Sequence, residues 1–187
     1  MPDEAEFEAE MMKLYYEQEA LDKRANELKQ RHGACDVEDY DLLTKDGETV
    51  KLSGQFGEHD TMVLVHNMGS SCPYCTLWAD SFEAVYKHVN SGVPGVDKKA
   101  AFILTSPDEP AKLKAFAAAR GWSFPCFSIH GGKLAHDLGY ANEKDQYGPG
   151  CSILKLREGK ITRVSRDHFG PGDKYCGIFG FLGLIPG

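Results

Sequence analysis

The feature that most constrains this chain is a junction. Residues 61–65 read TMVLV, an unbroken apolar run, and Cys72-Pro73-Tyr74-Cys75 follows within seven residues. A continuous rather than alternating apolar run is expected of a strand covered on both faces. From Pro73 to about residue 89, Leu77, Trp78, Phe82, Val85 and Tyr86 recur at helical spacing. Proline stands in the first turn, where the missing N–H is harmless. A strand that runs into a helix through two cysteines demands a layered α/β fold.

The remaining pattern agrees. Residues 40–44 and 49–52, joined by Lys45-Asp46-Gly47, read as a hairpin. Residues 100–104 (AAFIL) read as a second buried strand, and a helix over 112–120 is closed by Gly121. Residues 124–129 read as a short strand. Residues 151–156 and 160–165 form a hairpin around Glu158-Gly159. Strands alternating with helices imply a sheet that is at least partly parallel. With 187 residues, one domain of this kind buries its core without staples.

Residues 3–32 stand apart. They contain no glycine or proline, hold nine acids and five bases, and end at Gly33. Phe7, Met11, Leu14, Gln18, Leu21, Ala25 and Leu28 follow a 4-3-4-3-4-3 spacing, one stripe of a long helix. Two readings remain open: a homodimerisation helix, or an amphipathic helix lying on its own chain. The domain division expected is a helical extension over 1–32 and a single α/β domain over 33–187.

The net charge of -7 argues against a nucleic-acid partner, and no apolar run reaches the ~18 residues of a membrane span. The opening MPDEAEFEAE is acidic and lacks a basic start and apolar stretch. A cytoplasmic location is expected, with mostly reduced thiols. A Cys-x-x-Cys pair is then a redox or metal candidate.

A thiol at a helix N-terminus faces free N–H groups and the positive end of the macrodipole, which favour thiolate over thiol. Cys72 is the expected attacking thiol and Cys75, one turn in, the expected buried resolving thiol. No organic cofactor is required. A structural zinc needs four ligands, and no second Cys-x-x-Cys exists.

This arrangement resembles the thioredoxin superfamily: strand, CPYC helix, strand, helix, proline loop, hairpin. LSGQFG after the first hairpin resembles the entry of the peroxiredoxin and thiol-peroxidase branch. The strings HNMGSSCPYCTLWAD, ARGWSFP and FGPGDKYC resemble the domain of unknown function 899 family, whose members are labelled predicted dithiol-disulfide oxidoreductases, from about Glu17 to the C-terminus. The resemblance implies a thioredoxin-like three-layer sandwich with a central mixed β-sheet and an added long N-terminal helix. It implies a disulfide substrate, either protein or small molecule, and an external thiol reductant.

Departures from better-known relatives matter. Ser71 precedes Cys72 where thioredoxins carry tryptophan. The peroxiredoxin pattern Pro-x-x-x-Thr-x-x-Cys meets Val65 and Gly69 here. Thioredoxins hold a buried acid six residues before the first cysteine; His66 stands there and is a candidate proton relay. The superfamily's cis-proline loop has two candidates, Pro125 and Pro149, with Pro149 directly before the last hairpin. Tyr74, Pro149 and Cys151 are the expected substrate-facing residues, with Trp122 and Phe127 bordering the dithiol. The alternatives are a thiol-dependent peroxidase using Cys72, and a Cu(I) carrier using two cysteines and a histidine.

Overall fold

The computed structural model describes residues 3–186. The elements are α1 (Glu4–Gly33), β1 (Cys35–Val37), β2 (Asp41–Leu43), β3 (Thr49–Lys51), β4 (Thr61–His66), α2 (Pro73–Ser91), β5 (Ala101–Ser106), α3 (Pro110–Arg120), β6 (Cys126–Ser128), α4 (Leu134–Asp137), β7 (Gly150–Arg157), β8 (Lys160–His168) and α5 (Ile178–Leu182). The strands form one mixed sheet in the order β1-β8-β7-β4-β5-β6-β2-β3. The parallel pairs are β4 with β5 and β5 with β6, as crossovers through α2 and α3 require. β7 and β8 form the predicted hairpin, and β7 lies antiparallel to β4.

Strand alternation divides the core in two. Met62 and Leu64 of β4 join Ile103, Leu154, Phe127, Leu134 and Tyr140 on one face. Val65 joins Cys75, Trp78, Phe82, Leu113 and Phe169 on the other, so α2 and α3 share that face. The opposite face is closed by the 3-10 turn Ser53–Phe56, α4 and the loops around them. Helices and turns on both sides of a mixed sheet make the expected three layers. Phe82, Phe102 and Phe124 meet edge-to-face at 5.7–5.8 Å beneath α2. Burying each such ring contributes about 1.5–3 kcal/mol.

One strand was not foreseen, and two expectations need correction. β1, too short to show a pattern, extends the sheet beyond β8. The run TMVLV is covered on both faces only at its end, because Val63 is half-buried. No cis peptide bond occurs among the described residues, so Pro125 and Pro149 are both trans.

α1 is anchored at its C-terminal end. The buried Arg163 guanidinium donates to the Gly33 carbonyl and the Leu138 carbonyl, each at 2.6 Å. These bonds satisfy a carbonyl left free by the helix end. A Cβ at Gly33 would stand 2.9 Å from the Arg166 amide nitrogen, so only glycine lets the helix approach β8 this closely. Only Asp22, Ala25, Lys29 and Gly33 of α1 are even partly covered, and the rest of the apolar stripe faces outward. The stripe therefore does not lie on its own chain.

Candidate active site: the Cys72–Cys75 dithiol

The dithiol sits where β4 ends. The Asn67 amide donates to Thr105 of β5 at 2.9 Å and prolongs the sheet by one residue. The chain then turns: the Gly69 amide donates to Asn67 Oδ1 at 2.7 Å, and the Cys72 amide donates to the Gly69 carbonyl at 3.1 Å. Gly69 has φ of +100°, and a Cβ there would face the Asp108 carboxylate at 3.3 Å. The backbone conformation calls for glycine, and a side chain there would also crowd the Asp108 carboxylate.

Cys72 is the N-cap of α2, and its Sγ accepts the Cys75 amide at 3.2 Å. This is the capping interaction usually supplied by serine, threonine or aspartate, here made by a sulfur. The Cys72 thiol is partly exposed. Cys75 is buried, 2% exposed, and its Sγ accepts the Met68 amide at 3.5 Å. Burial, followed by its hydrogen bond with Cys72, pushes the Cys75 thiol up to about 12. One sulfur is reachable and the other is held back as a protonated thiol.

The surroundings sort the predicted residues. Tyr74 is half exposed beside Cys72 and leans toward Trp78, with ring centroids 6.2 Å apart. Pro149 joins Val65, His66, Asn67, Trp78 and Phe169 in a narrow crevice against Cys75. Cys151 pairs with Val65 across the sheet and lies in the same apolar cluster, but it does not line that crevice. Burial pushes its thiol up to about 12, as it does for Cys126. Trp122 packs on the α2 side and donates to Asp80 at 2.8 Å, whereas Phe127 belongs to the opposite face and does not border the dithiol.

His66 also points away. Residues 62, 64 and 66 of β4 share one face, and 63 and 65 share the other. The His66 ring is hydrogen bonded to Ser152 Oγ at 2.9 Å and stacked on Tyr140 at 3.7 Å. Burial, then the charges of Arg163 and His168, push it down to about 3. The ring is neutral and turned to the Tyr140 face; the residue lines the crevice against Cys75, but among the described residues its hydrogen bond goes to Ser152 and none joins it to either cysteine. Among the described residues, no group of three or more His, Cys, Asp or Glu side chains is arranged to hold a metal ion.

Several residues escaped the sequence reading. Asp108 accepts the Ser70 amide at 2.6 Å, the Ser70 hydroxyl at 3.2 Å, Ser106 Oγ at 3.1 Å and the Lys112 ammonium at 2.6 Å. Burial raises the Asp108 pKa, but these donors, Lys112 foremost, more than offset it and hold the carboxyl below its ordinary range. The residue lies just past the carboxyl end of β5, the parallel neighbour of β4, and a crevice at the carboxyl ends of parallel strands is where such folds place sites. Asp173 accepts the Trp78 indole N–H at 3.2 Å, and Cys176 Sγ lies 3.1 Å from Ser81 Oγ. The FGPGDKYC segment is thus the cover over α2.

A family model matches residues 1–173, so nearly the whole chain is accounted for. The chain belongs to the family described as "Bacterial protein of unknown function (DUF899)". The match reaches further toward the N-terminus than Glu17, so α1 is part of the DUF899 unit. Among curated proteins, none matches the chain. The structure is similar to peroxidoxin BcpB from Mycobacterium tuberculosis, with a TM-score of 0.61, 18% identity, and coverage of 83% of this chain and 98% of that one. It is also similar to peroxiredoxin Q from Xanthomonas campestris, with a TM-score of 0.56, 18% identity, and coverage of 77% and 87%. A putative protein disulfide isomerase from Bacteroides thetaiotaomicron gives a TM-score of 0.51, 21% identity, and coverage of 79% and 86%. These likenesses make the DUF899 fold thioredoxin-like.

Proposed function

We propose that the protein is a dithiol-disulfide oxidoreductase working through Cys72 and Cys75. The observation that carries this reading is the asymmetry of the pair: an accessible sulfur at the N-cap of α2, and a buried thiol one turn in whose amide already points at it. The Cys72 thiolate attacks one sulfur of a substrate disulfide. A mixed disulfide forms and the other substrate half leaves as a thiolate. Cys75 gives up its proton and attacks Cys72 Sγ, releasing the second half as a thiolate and leaving a Cys72–Cys75 disulfide. An external thiol reductant returns two electrons and two protons to the pair. Tyr74 stands beside the sulfur that a substrate must reach, and Pro149 lines the crevice against its buried partner Cys75.

The test compares single variants. Cys72→Ser abolishes disulfide reduction, and Cys75→Ser accumulates the mixed disulfide on Cys72, visible by mass spectrometry. Unchanged turnover in Cys72→Ser overturns the reading.

A second reading is favoured by the fold neighbours: one solved structure of this fold is titled for the alkyl peroxide reduction activity of a bacterioferritin comigratory protein. A Cys72 thiolate would attack the peroxide, giving a sulfenic acid and an alcohol. Cys75 would then condense with it to the same intramolecular disulfide and release water. Gly69 and Val65, which stand where the peroxiredoxin threonine and proline would be, weigh against this route. Peroxide consumption, with the Cys72 sulfenate trapped by a dimedone-type reagent in Cys75→Ser, identifies it.

A further inference from the structure

The α2 side of the sheet lacks part of its cover. The α2-facing positions of β7 are Cys151, Ile153, Lys155 and Arg157; only Cys151 is buried, and Arg157 is exposed. On the neighbouring central strand, Val63 is half-buried although its sequence context is that of a strand enclosed on both sides. Val63, Val65, Val85, Val89, Ile153 and Val164 line an open groove of about 950 Å³. A second groove of about 890 Å³ continues it past Ala100 and shares Val63, Val85, Val89 and Ile153. The floor is apolar and the rim is predominantly basic: Lys98, Lys99, Lys155 and Arg157 outnumber Asp60 and Asp97, and Asp167 is already paired with Lys29.

The chain's own α1 cannot fill this groove. α1 leaves one end of it, where Asn26, Lys29 and Gln30 form a wall. Lys29 is paired with Asp167 at 2.6 Å, and Asp22 with Lys174 at 3.1 Å, so the root of the helix is held in place. Thirty residues make a rod of about 45 Å, longer than the roughly 30 Å of a small domain. No glycine or proline interrupts it before Gly33, so its N-terminal half cannot bend back. That half carries Phe7, Met11 and Leu14, each about half exposed. Residues 3–20 hold seven acids and one base.

We propose that the acidic N-terminal half of α1 from a second copy of this chain lies in the groove, and that the exchange is reciprocal about a two-fold axis. The apolar stripe meets the valine and isoleucine floor, and the acids meet the lysine and arginine rim. A two-fold interface must be self-complementary, and one chain here carries both halves of the match. The charge distribution also selects the geometry. Parallel α1 helices would set two acidic halves side by side, whereas the reciprocal exchange runs the helices antiparallel and sets each acidic half beside the more basic root of the other.

Light scattering and sedimentation of the full chain test this. Two copies per particle are expected at micromolar concentration, with association weakened by added salt. The double substitution Met11→Glu/Leu14→Glu yields monomers with unchanged helix content and unchanged dithiol chemistry. Both residues are exposed, so the domain fold is not at stake. Lys155→Glu/Arg157→Glu weakens association roughly tenfold or more, and Glu8→Lys/Glu10→Lys in the same chain restores it. A monomer at every concentration overturns the proposal, as does a dimer indifferent to the charge at 155 and 157, which would be held by α1 against α1 alone.

Discussion

The Asp108 carboxylate accepts the Ser70 amide at 2.6 Å, and so the end of β5 holds the loop that delivers Cys72 to the start of α2. The same carboxylate takes Ser106 and Lys112 from its own strand end and helix. It is a positioning residue, tying two parallel strand ends together just before the dithiol.

Replacing Asp108 with alanine leaves the Ser70 amide and the Lys112 ammonium without their acceptor. The expected cost is about 1–3 kcal/mol of stability. A drop in disulfide-exchange rate is expected to accompany it. The Cys72–Cys75 redox potential separates positioning from general destabilisation: it should shift in Asp108→Ala and stay put in an equally destabilising core variant far from the loop.

Acid should act through the same carboxyl. Its folded pKa lies below its ordinary value of 3.8. The stabilisation is therefore complete above that value and is lost as the pH falls through the lower folded one. Urea midpoints between pH 5 and pH 2.5 should fall less in Asp108→Asn than in the native protein.

His66 makes the opposite kind of group detectable. Its folded pKa of about 3 lies below the ordinary 6.5 of histidine. Below pH ~6.5 the unfolded chain takes up a proton that the folded chain refuses. Stability should decline from pH 6.5 toward pH 3, and His66→Gln should flatten that decline. Exchange rates through Cys72 should show no inflection assignable to His66, because its ring is on the far face of the sheet. A rate inflection removed by His66→Gln would return it to the mechanism.

Arg163 supports α1 rather than the chemistry. Arg163→Ala leaves the buried Gly33 and Leu138 carbonyls without donors. A loss of about 2–3 kcal/mol is expected, with the root of α1 freed. Hydrogen exchange should rise across residues 22–33 while the amides of β4 and β5 stay protected.

Cys151→Ala should leave disulfide exchange intact. Its thiol is buried and outside the crevice against Cys75, so it is a small apolar side chain in the core. Trapping of a Cys151-containing disulfide during turnover would show that it takes part.

Much of the site was legible because its determinants are local. An apolar strand, two cysteines three residues apart and proline in the first helical turn specify the strand–dithiol–helix junction by short-range preference alone. The accessible and buried roles of Cys72 and Cys75 follow from one helical turn of separation. The length of α1, its stop at Gly33 and its outward acidic character were equally local.

The rest depended on which pieces meet. The alternation of Leu64, Val65 and His66 is written in the strand, but which face α2 covers is set by the crossover to β5. That crossover put His66 against Tyr140 and turned Cys75 toward Val65. Asp108 is thirty-eight residues from Ser70 and becomes its partner only because β4 and β5 lie parallel. The stripe of α1 has the spacing of a packed helix in either setting. The Arg163–Gly33 contact and the Lys29–Asp167 pair turn Asp22, Ala25 and Lys29 toward the body of the chain and left the stripe from Phe7 to Leu21 free to face another copy.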